Sequence, residues 1–372
     1  MDILGQTPTQ LILFFTLYGI TGVVPLIAAI YLLLRKGNAF ASDVTPPMRL
    51  RRWAASFFAI AALGHVWWYI FYIYFGDIHS VPYFVVVMLD CVSLLITIAG
   101  TLLAMLQDRR RSVRPAIVAM IPFVALCGVL MIHPSKLIEL ISGAYILLLY
   151  VIFTAYMVVA VKRYGQWLND NYADLENKKV WLCQTVSLVC MLMFILYVFA
   201  VDMVFIWLIH IFELVLVGLL LWRVDTLPLL ESTPTEEADT ASASSDSYTP
   251  QPAKAGIIDL DQIDLLLKEH CVDNQLYLQH DLSLQQLAQE VGTNRYYLSQ
   301  FFSRQGITYN TYINNLRINH FISRYEETVA AGQSVGAQQL AYESGFSSYR
   351  TFSRAFTQRM GQSVTDWMSA TA

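Results

Sequence analysis

Long runs of apolar residues dominate the first 223 positions of the chain. A helix needs about 20 mostly apolar residues to cross a bilayer, because every backbone N–H and C=O must be paired inside the segment. Seven runs meet this requirement, at residues 11–34, 53–75, 82–106, 116–132, 137–161, 181–201 and 203–222. The pattern therefore predicts a seven-helix transmembrane bundle over residues 1–223.

The basic residues between these runs predict how the bundle is oriented. The first, third and fifth loops, at residues 35–52, 107–115 and 162–180, contain 13 Lys and Arg residues, whereas the alternate loops contain only Lys136. Short loops rich in Lys and Arg stay in the cytoplasm. We therefore expect the N-terminus outside and the C-terminus in the cytoplasm.

The overall composition supports a membrane domain joined to polar regions. Of the 372 residues, 56% are apolar and 14% are charged, and the mean hydropathy is +0.48, whereas soluble domains carry roughly 25% charged residues. A single soluble globule is therefore excluded. The five cysteines include no pair at CxxC spacing, so neither a disulfide framework nor a thiolate metal site is expected.

Four ionisable side chains lie inside the predicted spans. They are His65, Asp90, His210 and Glu213. Such groups are costly at bilayer depth and usually face the bundle interior. One hypothesis is a polar pocket, open towards the outside, for a small ligand, a proton or a metal; the other is that they form interhelical hydrogen bonds that only hold the bundle together. No HExxH or GxSxG motif accompanies them, so we predict no catalytic residues, no cofactor and no enzymatic step.

Residues 224–256 have a third kind of composition. They are rich in Ser, Thr, Ala, Glu and Pro, with six acidic residues and one basic residue. Such a segment buries too little apolar surface to offset the entropy of the chain. We therefore predict a disordered linker between the membrane domain, residues 1–223, and a C-terminal domain, residues 257–372.

Helical periodicity returns after the linker, with turn signals at fixed positions. An amphipathic helix over residues 256–270 is followed by Ser283, which starts a helix with a capping box, and by Gly292, which ends that helix. Thr293 is expected to cap a second helix over residues 294–304. A short helix, a glycine-containing turn and a second helix form a helix-turn-helix unit.

This unit occurs twice in the C-terminal domain. Its apolar and glycine positions Leu287, Ala288, Gly292, Leu298, Phe302 and Gly306 recur 53 to 55 residues later as Leu340, Ala341, Gly345, Phe352, Phe356 and Gly361. A helix over Thr311–Glu327 connects the two copies. The whole chain is therefore predicted to be all-α, and an internal duplication makes the motif more specific than one copy.

With these residues, positions 257–372 resemble the DNA-binding domain of AraC/XylS-type transcription regulators. The matching stretches are LSLQQLAQEVGTNRYYLSQFFSRQGITYNTYINNLRI, from residue 282, and LAYESGFSSYRTFSRAFTQRMGQSVTDW, from residue 340. The resemblance implies two recognition helices that enter successive major-groove segments of double-stranded DNA. It also implies self-association, so a homodimer is expected.

The second helix of each unit has an outward polar face when its apolar residues face inward. The predicted DNA-binding residues are Arg295, Tyr296, Ser299 and Arg304 on the first helix, and Ser348, Arg350, Thr351 and Arg354 on the second. An Arg in the first turn can read guanine edges, while hydroxyls and later Arg residues more often hold phosphates. The domain as a whole carries 8 basic and 11 acidic residues, which leaves open a solvated face on a protein-binding module.

These features together predict a transcription regulator anchored in the bacterial cytoplasmic (inner) membrane. Its expected partners are double-stranded DNA, the lipid bilayer and an unknown small-molecule or protein signal. The alternative is a membrane transporter or enzyme whose C-terminal helical module recruits a partner protein.

The predicted orientation can be tested with reporter fusions. An alkaline phosphatase fused after Gly76 should be active and one fused after Arg110 inactive, because phosphatase folds only outside the cytoplasm. A reporter that requires the cytoplasm should give the reverse pattern. Phosphatase activity after Arg110 but not after Gly76 would overturn the cytoplasmic placement of residues 257–372.

Overall fold

The computed structural model describes residues 7–35, 37, 46–77, 80–176, 178–199, 203–230, 260–333 and 336–371. The regular elements within these ranges are helices, and pairing between extended residues is limited to an isolated β-bridge. The all-α fold class is therefore confirmed. The chain divides into an N-terminal unit, Met1–Lys162 with Val180–Asp239, and a C-terminal unit, Arg163–Lys179 with Thr240–Ala372.

The helices of the N-terminal unit cover the predicted apolar runs. They are α1 (Pro8–Leu34), α2 (Met48–Tyr74), α3 (Val81–Met105), α4 (Arg114–Ala119), α5 (Ile121–Ile132), α6 (Lys136–Asn171), α7 (Trp181–Phe199) and α8 (Met203–Thr226). Six helical stretches among the described residues are long and apolar enough to cross a membrane, by length and composition, and Trp181–Leu196 is a shorter apolar helix.

Three boundaries differ from the sequence prediction. The fourth run is divided at Met120, just before Pro122 in the first turn of α5; proline has no N–H and its ring clashes with the preceding turn. Helix α6 continues beyond residue 161 to Asn171, and α8 ends at Thr226, inside the predicted linker. Residues 231–256 of that linker lie outside the described residues.

Small residues allow the first helices to approach closely. Gly100 of α3 packs on Trp53 of α2, and a Cβ at Gly100 would lie 2.2 Å from the indole. Polar side chains on one stripe of α3 are satisfied locally, because the Thr97 and Thr101 hydroxyls donate to carbonyls one turn earlier, at 2.7 and 2.8 Å. Both threonines are buried, as expected for a stripe that faces other helices.

The C-terminal unit contains the two predicted helix-turn-helix units. Its elements are α9 (Leu260–Leu267), a π-helical turn (Lys268–Asp273), a 3₁₀ turn (Leu276–Leu278), α10 (Leu284–Glu290), α11 (Arg295–Arg304), α12 (Tyr309–Ala330), α13 (Ala337–Glu343), α14 (Tyr349–Met360) and α15 (Val364–Thr371). Helices α10 and α11 form the first unit, α13 and α14 the second, and α12 connects them.

Each helix-turn-helix unit has its own apolar core. The first core includes Leu287, Ala288, Leu298, Phe301, Phe302 and Ile313, and the second includes Phe321, Leu340, Ala341, Phe346, Phe352 and Phe356. The positions predicted from the internal repeat are therefore the buried ones. Leu316 of α12 is partly buried against the first core.

The start of α11 corrects one prediction. Asn294, not Thr293, caps this helix, and its side chain accepts a hydrogen bond from the Tyr297 N–H at 3.0 Å. The helix begins at Arg295, one residue later than expected, and the cap is the residue just before the first helical position. The predicted capping box of Ser283 and Gln286 at α10 is confirmed.

Two contacts join the cores of the C-terminal unit. Gly345 has φ +89°, and a Cβ there would lie 2.7 Å from the carbonyl oxygen of Leu278, so only glycine fits this close approach of two backbones. Arg317 of α12 is buried, and its guanidinium donates to the carbonyls of Tyr277 and Gln279, each at 2.7 Å. The same guanidinium lies 5.6 Å from the Phe346 ring centre.

Candidate DNA-binding surface and histidine cluster

The polar face predicted on α11 is present but is not equally open along its length. Tyr296 is 64% exposed, and Ser299 and Arg304 are also exposed. Arg295, in the first turn, is only partly exposed, and burial lowers the pKa of its guanidinium. Most of this face is therefore accessible, while its N-terminal end is covered.

Helix α14 has a similar arrangement. Ser348 caps it by accepting a hydrogen bond from the Thr351 N–H at 3.2 Å, and both side chains are partly buried. The Arg350 side chain is 89% exposed, and Arg354 is exposed one turn later. An open concavity follows this face, lined by Tyr349, Arg350, Ser353, Arg354, Thr357 and Gln358.

The residues that cover both helix starts come from the segment 163–179, which we call the docking segment. The Asn171 side-chain oxygen accepts a hydrogen bond from Arg295 Nε at 2.8 Å. One oxygen of the Glu176 carboxylate accepts hydrogen bonds from the hydroxyls of Ser348 and Thr351. Its other oxygen lies 4.0 Å from the Arg350 guanidinium.

Backbone contacts attach the docking segment to the first helix-turn-helix unit. Ala173 is fully buried in the first core, and its N–H donates to the Leu282 carbonyl at 3.3 Å. Tyr172 forms an antiparallel bridge with Ser283. The side-chain amide of Asn310 donates to the carbonyls of Tyr172 and Ala173, at 3.1 and 2.6 Å. These contacts place Asn171 at the start of α11.

Basic groups also gather beside α14. Burial lowers the pKa of Lys179, and so does the charge of Arg354 and Arg350 nearby. Like charges lower each other's affinity for a proton when they are close. Several positive charges along one helix attract the phosphates of a nucleic-acid backbone. The domain as a whole is nevertheless acidic.

The sequence assigned no role to Asn171 and Glu176. They lie in a loop that was interpreted only by its Lys and Arg content, and helix α6 was predicted to end ten residues before Asn171. The signal that could have drawn attention to them is an acidic stretch, Asp174 to Glu176, between basic residues in a short loop.

In the N-terminal unit, three of the four ionisable residues predicted within the spans come together. His65 of α2 and His210 and Glu213 of α8 have potential metal-ligating atoms that all lie within 4.8 Å of one another. His65 Nε2 and His210 Nδ1 are 3.6 and 3.9 Å from the same carboxylate oxygen of Glu213. We call these three residues the histidine cluster.

Helix α1 closes one side of the histidine cluster. The Thr21 hydroxyl lies 2.8 Å from His65 Nε2 and 3.3 Å from His210 Nδ1. Tyr18 donates to the carbonyl of His65 at 2.6 Å, and its ring packs edge-on against both imidazoles. The cluster is therefore built from three helices, and its side chains are 83 to 90% buried.

Asp90, the fourth predicted residue, is not part of this group. Its carboxylate accepts a hydrogen bond from Trp68 Nε1 at 3.4 Å and also packs against Gly64, where a Cβ would lie 3.1 Å from it. The sequence could place the four residues at similar depth, but not around the helices, so it grouped Asp90 with the histidines.

Comparison with known protein families finds a match within the C-terminal unit. Residues 287–370 match the family model described as a helix-turn-helix domain, of the AraC type. No curated protein and no solved structure matches the chain. The match begins within α10 and ends within α15, so it includes both helix-turn-helix units and the connecting helix.

Proposed function

We propose that this protein is a membrane-anchored, sequence-specific regulator of transcription that binds double-stranded DNA through α11 and α14. The observation that carries the proposal is the pair of AraC-type helix-turn-helix units, each with arginines on the polar face of its second helix. A duplicated unit of this kind has two helices able to enter successive segments of the major groove.

Individual residues on the two helices have different proposed roles. Arg295 and Arg350, in the first turns, contact base edges, where a bidentate guanidinium can recognise guanine. Arg304 and Arg354, later in their helices, hold phosphates, and so do the hydroxyls of the two faces. This division gives sequence specificity from a few contacts and affinity from charge.

Membrane anchoring is proposed from the surface of the N-terminal unit. Its helices expose many large apolar side chains; Leu34, for example, is 77% exposed and Ile132 73%. An apolar surface of this extent is stable in lipid rather than in water. The alternation of basic loops supports a cytoplasmic C-terminal unit beside a bacterial inner membrane, where it would bind DNA as a monomer or, by family resemblance, as a homodimer.

The histidine cluster supports a sensory role for the membrane domain. Ionisable groups within apolar helices are costly and persist where they are paired or functional. A signal that binds the cluster would change how α1, α2 and α8 pack. No enzymatic step is part of this proposal.

DNA binding can be tested on residues 257–372 with a gel-shift assay on DNA sites selected from a random pool. Arg295→Ala and Arg350→Ala should each weaken specific binding by about 1–3 kcal/mol and relax the base preference at one position. Arg354→Ala should weaken binding to all DNA sequences about equally. It should also lower the slope of log affinity against log salt concentration by roughly one unit.

The control for these variants is Arg324→Ala, which removes an exposed arginine of α12 that pairs with Glu327. It should leave affinity for the selected site nearly unchanged. Unchanged affinity in both Arg295→Ala and Arg350→Ala would contradict the proposed faces. A wild-type fragment with no salt-sensitive DNA binding would favour a protein-recruitment module instead.

The sensory role can be tested by transcription from a promoter that carries the selected site. Glu213→Gln keeps the side-chain shape and His210→Gln keeps a hydrogen-bonding group, so each should hold output per molecule constantly high or low while membrane abundance stays normal. If output per molecule is unchanged, or only abundance falls, these residues are structural. Normal regulation by residues 231–372 on an unrelated membrane anchor would also exclude a sensor in the first 223 residues.

A further inference from the structure

The distances inside the histidine cluster do not match direct hydrogen bonding to Glu213. An N–H···O bond normally has a donor–acceptor distance of about 2.7–3.2 Å, whereas the Glu213 oxygen lies 3.6 and 3.9 Å from the two imidazole nitrogens. Among the described residues, Glu213 has no ion-pair partner other than these histidines. Its carboxylate is therefore close to two nitrogen atoms without bonding to either.

These distances are close to those between ligands of one metal ion. With metal–ligand bonds of about 2.0–2.2 Å, tetrahedral donor atoms lie roughly 3.3–3.6 Å apart. The donor atoms of His65, His210 and Glu213 all lie within 4.8 Å of one another. Small side-chain adjustments would bring all three into the coordination sphere of one ion.

A hydrogen bond on the other ring nitrogen of His65 leaves Nε2 suited to bind a metal ion. Its Nδ1 lies 3.0 Å from the Ala61 carbonyl oxygen, which can only accept, so Nδ1 carries the proton. In the neutral ring Nε2 is then an acceptor, and it lies 2.8 Å from the Thr21 hydroxyl and 3.6 Å from the Glu213 carboxylate oxygen. Metal-binding histidines usually have their other nitrogen held in this way.

We propose that the histidine cluster binds a divalent transition-metal ion, with Zn²⁺ as the ion whose ligand preferences fit best. Two imidazoles and one carboxylate form a common zinc ligand set, and three protein ligands leave one position for water or another exchangeable ligand. The ion would also neutralise the Glu213 charge within an apolar helix. The proposal deepens the sensory role given above but concerns binding alone.

The test uses the full chain in lipid nanodiscs, stripped of metal with a chelator and dialysed against Zn²⁺. We expect about one zinc per chain, measured by mass spectrometry of the metal. His65→Gln, His210→Gln and Glu213→Gln should each lower affinity by about 100-fold or more, since loss even of an outer-shell partner costs about 10–100-fold. The control is His133→Gln, an exposed histidine at the end of α5, which should bind zinc normally.

A measurement on the unaltered chain guards against variants that misfold. Co²⁺ in place of Zn²⁺ should give the visible absorption of a tetrahedral site. The proposal would be overturned if the chain bound no stoichiometric zinc or if the cobalt spectrum lacked tetrahedral bands. It would also be overturned if His133→Gln lost as much zinc affinity as the three cluster variants. Zinc binding without any effect on transcription would remove the sensory role and leave the metal site standing.

A separate observation concerns the docking segment. At the start of α14, the Glu176 carboxylate lies against two hydroxyls and a guanidinium. At the start of α11, Asn171 accepts a hydrogen bond from the Arg295 guanidinium. These are the groups proposed to contact DNA. A carboxylate and a phosphate are both anionic oxygen acceptors and bind the same hydrogen-bond donors. Glu176 and a DNA phosphate therefore cannot bind the donors at the start of α14 at the same time.

We infer that the docking segment inhibits DNA binding by occupying polar groups in the first turns of α11 and α14, with Glu176 in the place of a phosphate group. The inference rests on the proposed DNA-binding function. The anchor of the segment is independent of the DNA-binding side chains, since Ala173 is buried in the first core and Asn310 holds the backbone around it. DNA binding then requires this segment to leave α11 and α14.

The first test compares DNA affinity of full chains in nanodiscs. Glu176→Gln keeps the shape of the side chain but removes its charge, and should tighten binding roughly tenfold, the equivalent of losing one charge-assisted hydrogen bond from the docked state. The matched control is Glu326→Gln, which makes the same charge change at an exposed position of α12 and should have little effect.

The second test locks the segment in place. Tyr172 and Ser283 face each other in an antiparallel bridge, where Cα atoms are about 4.5–5.5 Å apart, a distance that suits a disulfide. The Tyr172→Cys/Ser283→Cys chain should lose DNA binding when oxidised and regain it when reduced. Equal affinity in both states, or equal affinity of Glu176→Gln and wild type, would overturn the inference. If residues 257–372 alone bind no DNA, the proposed function itself fails.

Discussion

The buried guanidinium of Arg317 is the interaction on which the geometry of the DNA-binding domain depends. It donates to two carbonyls of the turn before the first helix-turn-helix unit and lies on a ring of the second. Burial lowers its pKa, but an arginine remains charged inside proteins, so these acceptors are required. A buried charge without partners costs several kcal/mol. Arg317 thus ties α12 to the turn before the first unit and, through the Phe346 ring, to the second.

The two units were predictable from sequence because their signals are local. These signals are a capping box, a glycine in a left-handed turn and apolar residues three or four positions apart. Each acts within one or two helical turns, and the internal repeat shows the glycine and the apolar spacing twice. The cap of α11 was predicted one residue too early, at Thr293 instead of Asn294, because both residue types cap helices well and only the helix start decides between them. Arg317 gave no signal, because an arginine in an amphipathic helix usually faces solvent.

Contacts between distant parts of the chain could not be predicted in the same way. The depth of His65, Asp90, His210 and Glu213 follows from counting residues along each span, but their rotation about the helix axes depends on packing. The structure consequently brings three of them together and pairs Asp90 with Trp68. Likewise, the contacts of Glu176 could not be predicted, because α6 extends to Asn171 where the sequence predicted a loop.

The polar contacts of the docking segment differ in strength. Charge-assisted hydrogen bonds contribute about 1.5–3 kcal/mol each, and the Arg350 pair, 89% exposed on one side, adds at most about 1 kcal/mol. The anchor of the docking segment adds to these contacts, because Ala173 is buried in the first core and Asn310 holds the backbone beside it. One carboxylate, that of Glu176, therefore lies at the start of a helix whose exposed side carries Arg350 and Arg354, although the domain as a whole is acidic.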